Sequence, residues 1–397
     1  MKKILSVNAG SSSLKFKIFA MPAETVIASG KFERIGIEHP LVEIKYGDGQ
    51  KFSEEAKVKN HSEAVQILLD KLLDLKIIAS YDEISGVGHR VVAGGEFFKE
   101  SVVVDTNNER LIEKTFELAP LHNPANLMGI RAFKKALPHA VAVAVFDTAF
   151  HQTMPEENYL YAVPYKWYEN YSVRRYGAHG TSHRYVASVA ADMLGRPLKD
   201  LKLISCHLGA GASICAIKDG KSFNTSMGFT PLAGVTMATR SGDVDFSAVA
   251  YMMRKLKVKN VSQMVETLNH ESGMLGISGK YSDSRDILEA AEAGDHRAYL
   301  ANEIFERSVI DYIGQYTFEM GGVDGIIFTA GIGENSQETR ESIVKKLAFL
   351  GINLDKVNNQ TRGKNTFIST PDSKVKVMRI MTDEELLIAR DTFNLAK

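Results

Sequence analysis

An apolar run that enters a small polar turn and leaves it as an alternating strand occurs twice in this chain. That duplication constrains the fold more than any other feature. The first copy runs from Ile4, Leu5 and Val7 through Asn8-Ala9-Gly10-Ser11-Ser12-Ser13 into Leu14-Lys15-Phe16-Lys17-Ile18-Phe19. Period-two alternation around a Gly/Ser turn predicts a β-hairpin. The second copy, Leu203-Ile-Ser-Cys-His-Leu-Gly-Ala-Gly-Ala-Ser-Ile-Cys-Ala-Ile217, has the same plan and leads to an Asp219-Gly220 hairpin signal. Each copy is followed by helices and then by a short apolar strand with a polar carboxyl end. These are Ala140–Phe146 before Asp147, and Gly325-Ile-Ile-Phe-Thr329 before Ala330-Gly331. A strand so continuously apolar is buried on both faces, and open α/β sheets place their ligands at such carboxyl ends. The repeated order predicts an α/β fold of two similar domains facing each other across a cleft.

A chain of 397 residues is too long for one ordinary core and agrees with two domains. The expected boundaries are 1–150 plus 386–397 for the first and 151–385 for the second, with a helix-rich insertion at about 246–320. Further strands are expected near 26–36, 40–46 and 84–92, and helices at 62–75, 107–118, 124–136 and 383–396. The last helix is long enough to cross back onto the first domain. Lys+Arg and Asp+Glu both number 48, so no global field draws nucleic acid or an anionic membrane, and a charged ligand needs a local cluster. No signal-peptide core or membrane-length apolar run is present, which points to the cytoplasm. Cys206 and Cys215 sit in strand-like segments without metal or redox spacing and read as reduced core thiols.

The first turn has little side-chain bulk, so its backbone N–H groups and serine hydroxyls can approach an anion, with Lys15 adding positive charge. Arg90 closes a strand in Gly88-His-Arg-Val-Val92, and Arg240 sits in the loop Thr239-Arg-Ser-Gly-Asp243. A guanidinium presents a planar fork to carboxylate or phosphate and stays charged in a closed site. His179 lies among donors and glycines in Arg174-Arg175-Tyr-Gly-Ala-His179-Gly-Thr-Ser-His183, which suits an anion loop. The spacing of His179 and His183 also admits zinc, although no third ligand lies nearby. No Gly-x-Ser-x-Gly elbow supports a hydrolase. Asp383-Glu384-Glu385 either starts the last helix, where carboxylates favour the dipole, or presents carboxylates to Mg²⁺.

Eight segments in order together resemble the acetate kinase family. They are Asn8–Lys15, Gly88–Val92, Leu118-Ala-Pro-Leu-His-Asn-Pro-Ala125, Phe146-Asp-Thr-Ala-Phe-His151, Arg175–His183, Thr239–Asp243, Phe328-Thr-Ala-Gly-Ile-Gly-Glu-Asn335 and Thr382-Asp-Glu-Glu385. The resemblance spans essentially the whole chain. It implies two duplicated actin-like (ribonuclease H-like) domains, a homodimer, and reversible Mg²⁺-dependent phosphoryl transfer between ATP and acetate, giving ADP and acetyl phosphate, with Mn²⁺ able to substitute. It further implies Asn8 and Glu384 as magnesium-site positions, and Ser11, Ser13 and Lys15 as phosphate contacts. Arg90 matches the carboxylate-binding arginine, and Val92, Leu121 and Pro231 match the walls of the methyl pocket. Asp147 matches the active-site carboxylate, His179 and Arg240 the transition-state stabilisers, and His122 a further active-site histidine. The nucleotide loops correspond to His207-Leu208-Gly209-Ala210-Gly211, Asp283-Ser284-Arg285 and Gly331-Ile332-Gly333-Glu334-Asn335.

Elementary electrostatics agrees with these implied roles. Acetate and the γ-phosphate are both anions, so their repulsion must be cancelled, and a loose phosphoryl transition state asks mainly for alignment and charge. Loss of either arginine is expected to lower turnover by at least ~10³-fold with the fold intact. Acetate needs no base to attack, so Asp147 reads as an orienter. Three departures stand out: Ala178 where the family often has phenylalanine, Ala210 where it often has asparagine, and Ala93 where a histidine is common. A missing aromatic wall is expected to enlarge the acyl pocket and admit propionate, and Ala210 to relax nucleotide selectivity. A non-catalytic ATP-dependent clamp of the same superfamily would share the hairpins but have no use for Arg90, His179 and Arg240.

Overall fold

The computed structural model describes residues 1–397 and divides into two units, Met1–Phe150 with Asp383–Lys397, and His151–Thr382. Residues 383–385, expected with the second domain, belong to the first unit, because they open a helix that packs there.

The first unit holds an eight-stranded sheet. Its strands are β1 (Lys2–Ala9), β2 (Ser13–Met21), β3 (Thr25–Glu33), β4 (Leu41–Tyr46), β5 (Gln50–Glu55), β6 (Ile84–Val91), β7 (Val102–Val103) and β8 (Val141–Phe146), in the spatial order β5-β4-β3-β2-β1-β6-β8-β7. β1 and β2 form the expected hairpin, with Asn8 opposite Lys15 and the Gly10 N–H donating to the Ser13 carbonyl at 2.8 Å. β1, β6 and β8 run parallel, so Asn8, Arg90 and Asp147 all lie at the carboxyl edge of one sheet. The helix Glu384–Leu395 packs against β1, β6 and β8, burying Leu387, Ile388, Ala389 and Thr392. It runs opposite to β6: Thr392 lies against Gly86 and Gly88, and Ile388 against Gly88. Its amino end, capped by the Asp383 side chain accepting from the Leu386 N–H at 3.1 Å, therefore reaches the strand edge beside Arg90.

A Cβ on Gly88 would stand 2.2 Å from Thr392 Oγ1 and 2.5 Å from Ile388 Cγ2, so this glycine sets the depth of helix-on-sheet packing. Gly88→Ala should therefore cost about 1–3 kcal/mol by overpacking, read as a lower urea midpoint. An unchanged midpoint would mean that the helix shifts without penalty.

The second unit repeats the core arrangement with β9 (Lys202–Leu208), β10 (Ala212–Lys218), β11 (Lys221–Thr225), β12 (Gly325–Thr329), β13 (Thr366–Phe367) and β14 (Lys376–Arg379), ordered β11-β10-β9-β12-β14-β13. Three antiparallel strands followed by two parallel ones, in the order third, second, first, fourth, fifth, occur in both sheets: β3-β2-β1-β6-β8 and β11-β10-β9-β12-β14. This is the duplication announced by the paired hairpins. Asp219 and Gly220 both take positive φ, +55° and +77°, as a primed two-residue turn requires. The helix-rich stretch supplies Phe246–Leu256, Val261–His270, Gly273–Ser278, Ser284–Glu292 and His296–Glu319. The last buries Ala298, Ala301, Phe305, Val309, Ile313 and Tyr316 at helical spacing against the β9–β10 core.

The expected helix at 107–118 is divided into Thr106–Lys114 and a single 3₁₀ turn, Phe116–Leu118. The buried Thr115 hydroxyl at the break donates to the Ile112 carbonyl and accepts from the Asn123 amide, so side-chain bonding competes with helix continuation. Cys206 and Cys215 are buried and free, and burial pushes both thiols up, which keeps them inert. No helix is long and apolar enough to cross a membrane.

Candidate active site

At the carboxyl edge of the first sheet, Arg90 holds Asp147 in a forked ion pair. Nε lies 3.1 and 3.0 Å from the two carboxylate oxygens, and Nη2 lies 2.6 Å from Oδ2. Strand pairing makes this contact: Arg90 lies opposite Val145 on parallel strands, and the Asp147 N–H continues the ladder by donating to the Val91 carbonyl at 3.0 Å. Asp147 is 1% exposed, whereas a quarter of the Arg90 side chain remains accessible. The guanidinium is raised above its ordinary value, chiefly by Asp147 and further by Glu384 and Glu385. Burial, with Asp147, Glu385 and Asp383 nearby, pushes the Glu384 carboxyl up to about 7 against the pull of Arg90. Lys17 pairs with Asp383 and Glu385 at 3.2 and 3.3 Å, so two cations, Arg90 and Lys17, stand among four carboxyl groups and the edge remains short of positive charge.

The Gly10–Ser13 turn opens at the same sheet edge. Ser11 and Lys15 are exposed, and Ser12 and Ser13 are half-buried. His61 braces the turn from behind, its Nε2 2.7 Å from the Gly10 carbonyl. Two asparagines tie the helix Asn123–Ala136 to the strand ends. Asn126 accepts from the Val92 N–H and donates to the Ala9 carbonyl, while Asn123 accepts from the Ala93 N–H and donates to the Ala93 carbonyl. They hold Val92, half-buried, near the mouth of that helix, where Leu121 is 69% exposed and His122 is exposed at the amino end. Neither asparagine nor His61 was singled out from the sequence. The only available signal was that Asn123 and Asn126 fall one helical turn apart behind a proline-rich segment.

In the second unit, a cavity of about 590 Å³ is lined by parts of all three expected nucleotide loops: Gly209 and Ala210, Asp283 to Arg285, and Gly331, Ile332 and Asn335. Asp283 caps the helix Ser284–Glu292 and accepts from Arg285 Nε at 3.0 Å and Nη2 at 2.7 Å, bonds that hold it down at about 2. The Asn335 amide donates to the Gly331 carbonyl at 2.9 Å, closing its loop. Other members of these loops do not line the cavity. Glu334 turns back to accept from the Ala330 and Thr382 N–H groups at 2.9 and 3.0 Å, and the Gly333 carbonyl accepts from buried Arg340 at 3.0 Å. His207 and Leu208 are buried, and Gly211 is half-buried. Ala238, Met274 and Leu288 add an apolar wall, and Glu338 and Arg362 add charge. These come from segments without a loop motif and were not expected.

Gly211 marks a second meeting point, since a Cβ there would stand 3.4 Å from Arg240 Nη1 and 3.7 Å from both Cε1 and Nε2 of His179. Arg240 donates to the Pro231 carbonyl at 3.3 Å, and burial lowers its basicity. It makes no ion pair. His179 takes a left-handed backbone, φ +57°, at the start of the helix Gly180–Leu194 and stacks on His207 with ring centres 4.1 Å apart. His183, the other member of the zinc-like spacing, is fully buried between Ser205 and Ser213, and no group of three metal-ligating side chains occurs. Ala178 is 5% exposed within the apolar core, its carbonyl 2.9 Å from His151 Nε2.

The acetokinase family model matches residues 3–390. The acetate kinase of Limosilactobacillus fermentum is 58% identical over 397 residues, and that of Bacillus subtilis 55%, each alignment covering both chains entirely. Among solved structures, the acetate kinase of Porphyromonas gingivalis superposes with a TM-score of 0.96 at 44% identity, covering all of both chains. A propionate kinase from Francisella tularensis superposes with a TM-score of 0.92 at 40% identity, again over both whole chains.

Proposed function

The chain belongs to the acetokinase family, and from that premise we propose that it transfers the γ-phosphoryl group of ATP reversibly to acetate, giving acetyl phosphate and ADP. It is a phosphotransferase with a carboxyl group as acceptor. The observation that carries the nucleotide half of the proposal is the cavity built from the three loops around Gly209, Asp283 and Gly331.

In the proposed reaction a carboxylate oxygen of acetate forms a bond to the γ-phosphorus as the bond to the β-bridging oxygen breaks, and no proton moves. Arg90 pairs with the acetate carboxylate through the accessible part of its guanidinium, while Asp147 holds the fork in one orientation. Val92 and Pro231 are the proposed walls for the methyl group, with Leu121 at its exposed rim. Ser11, Ser13 and Lys15 contact the phosphates. Arg240, which has no acidic partner, offers its undivided charge to the equatorial oxygens, and His179 donates a hydrogen bond beside it.

Magnesium is part of this proposal because the donor chemistry fits. Mg²⁺ asks for one or two carboxylates, with phosphate oxygens and water completing its shell. Glu384 is held up at about 7 at an edge short of positive charge. Glu384 and Asn8 are the residues proposed to hold the ion, which when bound neutralises phosphate charge. Homodimer formation is supported by exposed apolar side chains on the second unit, including Trp167, Tyr171, Phe246, Tyr251, Leu256 and Leu300.

Acetyl phosphate formed from ATP, acetate and Mg²⁺, trapped as the hydroxamate, tests the reading, and no hydroxamate would reject it. Similarity to a propionate kinase favours propionate as a second substrate. With one methylene worth ~1–3 kcal/mol in an apolar pocket, kcat/KM for propionate should fall ~10–200-fold below that for acetate and butyrate lower still. Equal values for all three would mean that no wall closes the pocket.

A further inference from the structure

Behind His179 lies a hydrogen-bond chain that the proposed chemistry does not explain. Ser205 Oγ is 2.9 Å from His183 Nδ1, His183 Nε2 is 2.8 Å from Ser213 Oγ, and Ser213 Oγ is 2.9 Å from His179 Nδ1. Ser205, His183 and Ser213 are 0% exposed. Strand register builds the chain. β9 and β10 pair His207 with Ser213 and Ser205 with Cys215, placing both serines beneath the helix that carries the two histidines.

Proton counting selects one direction. Each hydroxyl has one proton, and buried His183, held well below its ordinary value by desolvation and by neighbouring His151 and His207, is neutral and has one ring N–H. Ser205 has one partner for its hydroxyl, His183 Nδ1, so Ser205 donates there. His183 then carries its proton on Nε2 and donates to Ser213. The Ser213 proton is left to donate to His179 Nδ1, and every buried donor is used. In the opposite direction the Ser205 O–H is buried without an acceptor, the arrangement that buried polar groups avoid.

We infer that Ser205, His183 and Ser213 are positioning residues that hold His179 as the neutral tautomer, with Nδ1 accepting from Ser213 and Nε2–H presented as a donor. This rests on the reading of His179 as the group that meets the transferring phosphoryl. Protonating His179 would place N–H on Nδ1 as well, reverse the chain and strand the Ser205 hydroxyl. Arg240 acts in the same direction by bringing a positive charge to the Nε2 side of His179 at Gly211. His179 thus contributes a directed hydrogen bond, and the positive charge of the second unit comes from Arg240.

Nitrogen-15 spectra of histidine-labelled protein test this, with His179 assigned by its loss in His179→Gln. In the parent, His179 and His183 should both show imine-type Nδ1 and protonated Nε2 from pH 6 to 8. Ser213→Ala should release His179 into mixed tautomers. It should also lower kcat by ~10–100-fold, the scale seen when a histidine ligand loses its supporting hydrogen bond, with KM for ATP unchanged. Ser213→Thr, which keeps the hydroxyl, should restore both. An imidazolium or Nδ1–H tautomer at His179 in the parent at pH 7 overturns the inference, as does an unaltered His179 pattern in Ser213→Ala. Failure to form acetyl phosphate with the tautomers as described rejects the kinase reading alone.

Discussion

Replacing Arg240 with alanine should lower turnover by at least ~10³-fold while leaving the protein as stable as its parent. Arg240 and Arg90 looked alike in the sequence, yet their surroundings assign them different costs. Arg240 is partly buried, donates to the Pro231 carbonyl and has no carboxylate partner, so its removal strands no charge and relieves some desolvation. Its loss is expected in kcat, since an interaction that strengthens only as charge shifts to the equatorial oxygens contributes little to ground-state binding. Arg90→Ala, by contrast, leaves the Asp147 carboxyl at 1% exposure without its fork. Breaking a buried pair from one side costs about 3–5 kcal/mol, so Arg90→Ala should lower the urea midpoint whereas Arg240→Ala should not. Single-turnover rates with urea midpoints for both variants separate the two cases. Near-parental turnover in Arg240→Ala would remove that side chain from the mechanism.

The second large effect is loss of stability in mild acid. His89, His151 and His183 are buried, and desolvation lowers all three, His89 to about 3 and His151 to about 4. Their neutral forms have defined or enclosed places: His151 Nδ1 pairs with Ser222 Oγ and Nε2 with the Ala178 carbonyl, and His89 lies against Phe133. In the unfolded chain the same rings titrate near their usual ~6.5. Below that value the unfolded state binds more protons, so the stability these groups contribute is present above ~6.5 and is lost as pH falls toward the folded values. Glu384 acts oppositely, because its raised value makes the folded state bind the extra proton between the ordinary carboxyl range and about 7. Three histidines against one carboxyl leave a net uptake of about two protons on unfolding, or ~3 kcal/mol lost per pH unit between ~6 and ~5. Urea denaturation at pH 7, 6 and 5 measures this directly, and a flat stability over that range would mean that these histidines are charged in the folded protein.

Much of the molecule was legible because the signals are local. The Asn8–Ser13 turn, the apolar strand before Asp147, the Asp219-Gly220 turn and the final helix each depend on short-range periodicity or on residues that tolerate positive φ. Thr115 shows the limit of such signals, since the helix there yields to a hydroxyl whose partner, Asn123, lies in another helix. The same limit hid Asn126, whose two bonds link strands β1 and β6 to a helix, and Arg362, which enters the cavity of the second unit from a segment without periodicity.

By itself the sequence determined the two-fold repetition of hairpin, helices and strand, the glycine-rich loops, and the set of cations and carboxylates from which the chemistry is drawn. Only the tertiary structure decided how those charges are spent. Parallel pairing of β6 with β8 commits Arg90 to Asp147, the returning helix brings Glu384 to the same edge, and Arg240 is left unpaired. The register of β9 against β10 joins Ser205 and Ser213 to the two histidines. The physical reason is range: dihedral preference and hydrophobic period act over a few residues, whereas ion pairing, desolvation and hydrogen-bond direction depend on partners that only strand register and helix docking bring together.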